Sequence, residues 1–135
     1  MKNEKEKDVR IALVRALAET ADARAYDALT AYAENPDTEL RAEALRALGH
    51  LRQKRAFRRL IISLMDSEEI VRSSAVEALA ALGDGRSAYF LARVLRLDAS
   101  AEVRSAAALA LAAVAGENST PHLIDALGDV DGQVR

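Results

Sequence analysis

Apolar residues recur along this chain at the spacing of one helix face. Val71, Ala75, Ala78, Leu79 and Leu82 fall at i, i+4, i+7, i+8 and i+11, a stripe that a 3.6-residue helix turns to one side. The stripe also repeats. Apolar-Arg pairs at Val9-Arg10, Leu40-Arg41, Val71-Arg72, Val103-Arg104 and Val134-Arg135 are separated by 31, 31, 32 and 31 residues. Ala16-Leu17, Ala47-Leu48, Ala78-Leu79 and Ala110-Leu111 keep the same register, as do Leu29, Leu60, Leu91 and Leu123, and the one added residue lies between Leu95 and Val103. Six positions before each Arg stands a short polar or acidic residue, Glu4, Asn35, Asp66, Asp98 or Asp129, which marks a loop. Helix-stop and helix-start residues punctuate each unit: Gly49, Gly83-Asp84-Gly85 and Gly116 after its first helix, Ser119-Thr120-Pro121 before a second, and Asn35-Pro36-Asp37 before the next unit. The pattern predicts helices over about 8–20, 23–34, 38–50, 54–65, 68–82, 86–97, 101–115 and 120–128.

Each unit is thus a helical hairpin that cannot bury its apolar face alone, so neighbouring units must stack. The expected fold is all-α: an α-solenoid of about four hairpins in one domain, 1–135, with repeats at about 1–37, 38–67, 68–98 and 99–131 and the opening of a fifth at 132–135. Two columns of small residues, Ala44/Ala75/Ala107 and Ala25/Ala56/Ser87/Ser119, let the helices approach closely. A larger residue there would overpack the stack, at roughly 1 to 3 kcal/mol. The last complete helix, with Leu123, Ile124 and Leu127, is expected to show part of its apolar side. Either the chain is a piece of a longer array, the preferred reading, or that edge supports self-association or packs on a partner.

Composition agrees. The 135 residues are 50% hydrophobic but only 4% aromatic, with 29 Ala and 18 Leu, a profile of repeated helices rather than a sheet. The absence of Cys removes disulfides, thiolate metal sites and cysteine nucleophiles. A net charge of −2 argues against a general nucleic-acid or anionic-membrane binder. No run of 18 apolar residues and no signal-peptide core occurs, so a cytoplasmic protein without a membrane partner is expected. Charge is uneven: residues 38–67 carry seven basic against three acidic residues, net +4, whereas 99–135 are net −3.

The run Asp66-Ser67-Glu68-Glu69-Ile70-Val71-Arg72-Ser73-Ser74-Ala75-Val76-Glu77-Ala78-Leu79-Ala80-Ala81-Leu82-Gly83-Asp84 closely resembles the HEAT-like repeat of the phycobilisome-lyase type, and the resemblance covers nearly the whole chain. Repeats 1 and 4 depart from it, reading Ala16-Leu17-Ala18-Glu19 and Ala110-Leu111-Ala112-Ala113 without the Gly. The resemblance implies a HEAT-like superhelix in which the Val-Arg helices line the concave face. On that assignment the outward ladder is Ile11, Ala12, Arg15 and Glu19; Ala42, Glu43, Arg46 and His50; Ser73, Ser74, Glu77 and Ala81; and Ser105, Ala106, Leu109 and Ala113. Arg15, Glu19, Glu43, Arg46, His50, Ser73, Ser74, Glu77 and Leu109 are the candidate protein-binding residues. Mixed charge over an Ala/Ser/Leu floor suits a protein or peptide better than a polyanion.

A second candidate surface is the ridge of Arg58, Arg59, Tyr89, Phe90 and Arg93 on the second helices, which mixes Arg with aromatics as binding hot spots do. Its plainer reading has the aromatics tucked against neighbouring hairpins and the arginines solvated. The recurrent Arg10, Arg41, Arg72 and Arg104 are read as partners of the loop acids rather than an anion ladder. His50 and His122 occupy different places in the repeat and have no neighbouring ligand pattern, so no metal is expected. Asp84 between two glycines is a turn. Ser73 and Ser74 lack a base, and no phosphate loop or catalytic constellation is present, so no catalytic residue and no cofactor are assigned. The expected function is a noncatalytic interaction module. The alternatives are a subunit or fragment of a bilin lyase-like enzyme, as the resemblance allows, and a nucleic-acid contact through Arg52, Lys54, Arg55, Arg58 and Arg59.

Overall fold

The computed structural model describes residues 2–128; the loop acid Asp129 and the fifth-unit residues 132–135 lie outside the described residues. Among these there is no strand, and eight α-helices follow one another: α1 (Lys2–Glu19), α2 (Ala23–Tyr32), α3 (Thr38–Leu51), α4 (Phe57–Ser63), α5 (Glu69–Leu82), α6 (Ser87–Leu97), α7 (Ala101–Ala115) and α8 (Thr120–Ala126). Short 3₁₀ turns, Lys54–Ala56 and Gly116–Ser119, lead into α4 and α8. They explain why the stretch expected as one helix over 54–65 is α-helical only from Phe57 to Ser63. α1 starts at Lys2, earlier than expected, because its Lys/Glu-rich opening is made of good helix formers.

Local chemistry sets most boundaries. The Asp22, Asp37 and Ser100 side chains accept hydrogen bonds from first-turn amides of α2, α3 and α7, and Pro opens α8 as expected. Gly83 ends α5 in the left-handed conformation, φ +73°. Gly49 does not stop its helix. α3 runs on to Leu51, and Arg52 takes the left-handed position at φ +55°. The glycine serves packing instead: a Cβ on Gly49 would lie 2.5 Å from the Ala78 Cα and 2.7 Å from the Ala78 carbonyl oxygen of α5. Equivalent positions in the other repeats hold Ala18, Ala80 and Ala112, so this is a locally tighter step of the stack.

The odd-numbered helices form one layer and the even-numbered helices the other. Leu29, Leu45, Leu48, Leu60, Leu79, Leu91 and Leu111 are buried between the layers with Val14, Val71, Val76 and Val103. Both columns of small residues are buried throughout. Neighbouring first helices pack closely, whereas neighbouring second helices barely touch. Close spacing in one layer and wide spacing in the other bends the stack toward the first helices.

The Arg column ties successive repeats together. The Arg72 guanidinium donates to the Asp66 and Ser67 carbonyls of its own loop, at 2.9 and 3.2 Å, and to both carboxylate oxygens of Asp98 in the next, at 2.9 and 3.2 Å. Arg41 repeats this with the Asn35 and Pro36 carbonyls and Asp66. The same carboxylates accept the Glu68 and Ser100 amides, so each loop acid both shapes its turn and receives the preceding repeat's arginine.

The two outer edges differ from the interior. Leu40, Val71 and Val103 are buried beneath the second helix of the preceding hairpin, but Val9 in the same column is exposed, as is Leu13, since no helix precedes α1 among the described residues. At the other end Leu123 is half-buried while Ile124 and Leu127 are exposed, as the apolar stripe of the last hairpin implies.

Candidate functional site

On the first-helix layer, residues one repeat apart come into register, and four of the candidate residues form a continuous ion-pair rail. Arg15 of α1 makes a two-point contact with the Glu43 carboxylate of α3, at 2.9 and 3.2 Å. Glu43 also accepts from Arg46 at 3.2 Å, and Arg46 reaches Glu77 of α5 at 3.2 Å. The rail alternates in sign across three repeats and so satisfies itself. Hydrogen bonding from the Arg15 guanidinium holds the Glu43 carboxyl below its ordinary value, although partial burial opposes this. Beside the rail, His50 Nε2 lies 3.3 Å from the Glu19 carboxylate, both side chains exposed.

The outward ladder needs three corrections. Ser74 is 0% exposed, and its hydroxyl donates to the Ile70 carbonyl one turn back. Its position lies where α5 is packed between α3 and α7; a short side chain is fully covered there, while the longer Glu43 at the equivalent position of α3 stays mostly covered but extends far enough to meet the Arg15 and Arg46 guanidinium groups. Ile11 and Ala42 are likewise buried. Ser73 is half-buried, and Glu77 is exposed. Leu109 of α7 is 77% exposed, with Ala113 of α7 and Ala81 at the end of α5 also exposed. The face therefore divides into a charged half on α1, α3 and α5 and an apolar half toward α7.

The ridge on the second helices is partly consumed by local contacts. Phe90 packs edge-on against Phe57 at 6.2 Å and against Tyr89 at 5.3 Å. The Arg86 guanidinium lies 4.2 Å above the Phe57 ring and that of Arg55 lies 3.7 Å above Tyr26. Arg59 pairs with Glu34. Asp84, held by the side chain and amide of Arg86, is lowered to about 2, in keeping with a turn role. Arg58, Tyr89 and Arg93 remain exposed. Sequence reasoning passed over Met65 and Leu97, which stand beside this ridge; their signal was an apolar side chain near the position where the first repeat carries Glu34.

Among the described residues no three His, Asp or Glu side chains converge as a metal site would require, and no helix is long and apolar enough to cross a membrane.

A family model described as HEAT repeats matches residues 1–80 and again 58–135. The chain belongs to the HEAT-repeat family. The all-α solenoid, the Asp-Arg spine between repeats and the small-residue columns are thus the features of a HEAT-repeat stack in this sequence. Among solved structures, the complex of CpcE and CpcF of phycocyanin lyase from Nostoc sp. PCC7120 is similar, with a TM-score of 0.76 and 25% identity over 94% of this chain. The HEAT-repeat chain spans 55% of the length of that neighbour's chain. No curated protein matches in sequence.

Proposed function

We propose that this HEAT-repeat chain is a noncatalytic module that binds a protein or peptide on its first-helix face. The observation that carries the reading is the division of that face. The Arg15–Glu43–Arg46–Glu77 rail is fixed by its own pairing and presents charge in a set geometry. Exposed Leu109, Ala81 and Ala113 supply an apolar anchor region. A rigid stack presenting both spends little ordering entropy when it binds. Ser73 and Glu19 with His50 border the contact, whereas buried Ser74 only supports it. A nucleic-acid contact draws less support, since the basic second repeat has Arg55 and Arg59 engaged with Tyr26 and Glu34.

The test is affinity capture from nuclease-treated source lysate on immobilised wild type, Arg46→Glu and Leu109→Asp, each checked for helicity. A protein retained by the wild type and lost by both variants supports the reading; equal retention by all three overturns it. A second reading has one specific observation behind it, the likeness to a chain of a phycocyanin lyase complex: the module contributes to bilin handling. Incubation with a bilin followed by absorption spectroscopy separates the two, because an induced visible band requires a bound tetrapyrrole.

A further inference from the structure

The second-helix layer carries an open apolar cleft of about 590 Å³ between α4 and α6. Ile61, Leu64, Phe90 and Val94 line it with Met65 and Leu97. Met65 is 89% exposed, and Leu97 and Tyr89 are also largely exposed. Tyr89, Arg93 and Leu97 follow one another at i, i+4 and i+8 along the α6 bank, and on the opposite bank Ile61 lies on α4 while Leu64 and Met65 stand in the turn that ends it, with Met65 exposed.

Comparison with the neighbouring step shows why the cleft is there. Between α2 and α4 the corresponding positions hold Glu34 and Arg59, and these pair. One repeat later, counting 31 residues on, the same two positions are Met65 and Phe90. An ionic tie between second helices is thus replaced by two apolar side chains that line an open gap.

The charge around the gap is one-sided. Its two carboxylates, Asp66 and Asp98, are already engaged by Arg41 and Arg72. Arg93 on the bank and Arg58 on α4 are exposed and belong to no ion pair among the described residues. A cleft of this size with a largely apolar lining and the exposed Arg93 guanidinium on its bank complements apolar anchors flanked by carboxylates. Side chains at helical spacing along the α6 bank, facing the end of α4 and its turn, fit a third helix laid against them.

From this geometry we infer that the α4/α6 cleft is a docking site, distinct from the first-helix face, for an acidic amphipathic helix of a partner protein. Its apolar side fills the space between Met65, Phe90, Val94 and Leu97, and its carboxylates meet Arg93. Met65 suits such a role because an unbranched thioether side chain adapts to differing anchors.

The probe is a labelled helical peptide of about 16 residues with Leu at i, i+4 and i+7 and Glu along its flanks, titrated into the intact chain by fluorescence anisotropy and amide NMR. Binding on the order of 10 to 100 μM is expected, with shifts centred on Met65, Tyr89, Arg93 and Leu97. Scrambling the Leu positions should abolish it. Arg93→Glu should weaken it at least about tenfold, and a peptide with Lys in place of Glu should recover affinity for that variant. Arg46→Glu and Leu109→Asp, on the other face, should leave it unchanged. No binding at millimolar peptide, or equal affinity for wild type and Arg93→Glu, overturns the inference. Loss of binding only in Arg46→Glu or Leu109→Asp also overturns it while leaving the first-helix-face proposal standing.

Discussion

Replacing Gly49 by Ala tests the packing of the stack at the close approach of α3 to α5. On an isolated helix the change stabilises by about 1 kcal/mol, because glycine loses more backbone freedom on folding. Here the new methyl would sit 2.5 Å from the Ala78 Cα and 2.7 Å from the Ala78 oxygen. Carbon atoms prefer about 3.5 to 4.0 Å, so α3 and α5 must separate by roughly 1 Å or more. Two of the opposing atoms belong to the backbone, and no rotamer change can relieve the clash. Ala18 and Ala80 at the equivalent positions show that a slacker step can accommodate the methyl, which bounds the damage to lost contacts between Gly49 and its surroundings. Overpacking near the upper end of its usual range costs about 3 kcal/mol; subtracting the helical gain leaves a net loss of about 2 kcal/mol. For a chain of this size that lowers Tm by about 6 to 10 °C. Differential scanning calorimetry, with urea unfolding followed at 222 nm, measures it. A Gly49→Ala protein as stable as the wild type, or more stable, refutes the argument, since it would mean that only the intrinsic helix preference was felt.

The Asp-Arg spine should matter more than ordinary surface pairs: Asp98→Ala strands the half-buried Arg72 guanidinium, and urea unfolding should show a loss of about 2 kcal/mol that added salt does not abolish. Arg15→Ala on the exposed rail should shift the urea midpoint far less than Asp98→Ala does, because an exposed pair is screened by solvent. For pH, the Glu43 carboxyl is depressed in the fold, so its contribution is present at neutral pH and is lost as pH falls through its folded value, below its ordinary value of 4.5. Glu43→Gln should flatten that part of the acid stability profile in urea midpoints, whereas a Glu43→Gln profile parallel to the wild type would refute the assignment. Asp84, lowered from 3.8 to about 2, extends the acid loss further, and Asp84→Asn should remove that lowest segment.

What the sequence alone determined was periodic. The 31-residue recurrence of Val-Arg, Ala-Leu and the loop acids specifies hairpins, and hairpins with one apolar side must stack, so the all-α solenoid and its small-residue columns follow from local pattern. The same register placed Arg15, Glu43, Arg46 and Glu77 on one layer, because residues one repeat apart meet when repeats stack. Tertiary packing decided the rest. Gly49 reads as a helix stop in one dimension, yet it lies inside α3 and marks a close helix approach, since a missing side chain can signal either a turn or a neighbour's backbone. Ser74 shares its column with Glu43 but disappears beneath α3 and α7, because exposure there depends on side-chain length against interhelical distance. The α4/α6 cleft was the least legible, for it arises from a difference between repeats. Only the spacing of two second helices in space makes Met65, passed over in the sequence, and Phe90 of the candidate ridge the walls of a gap.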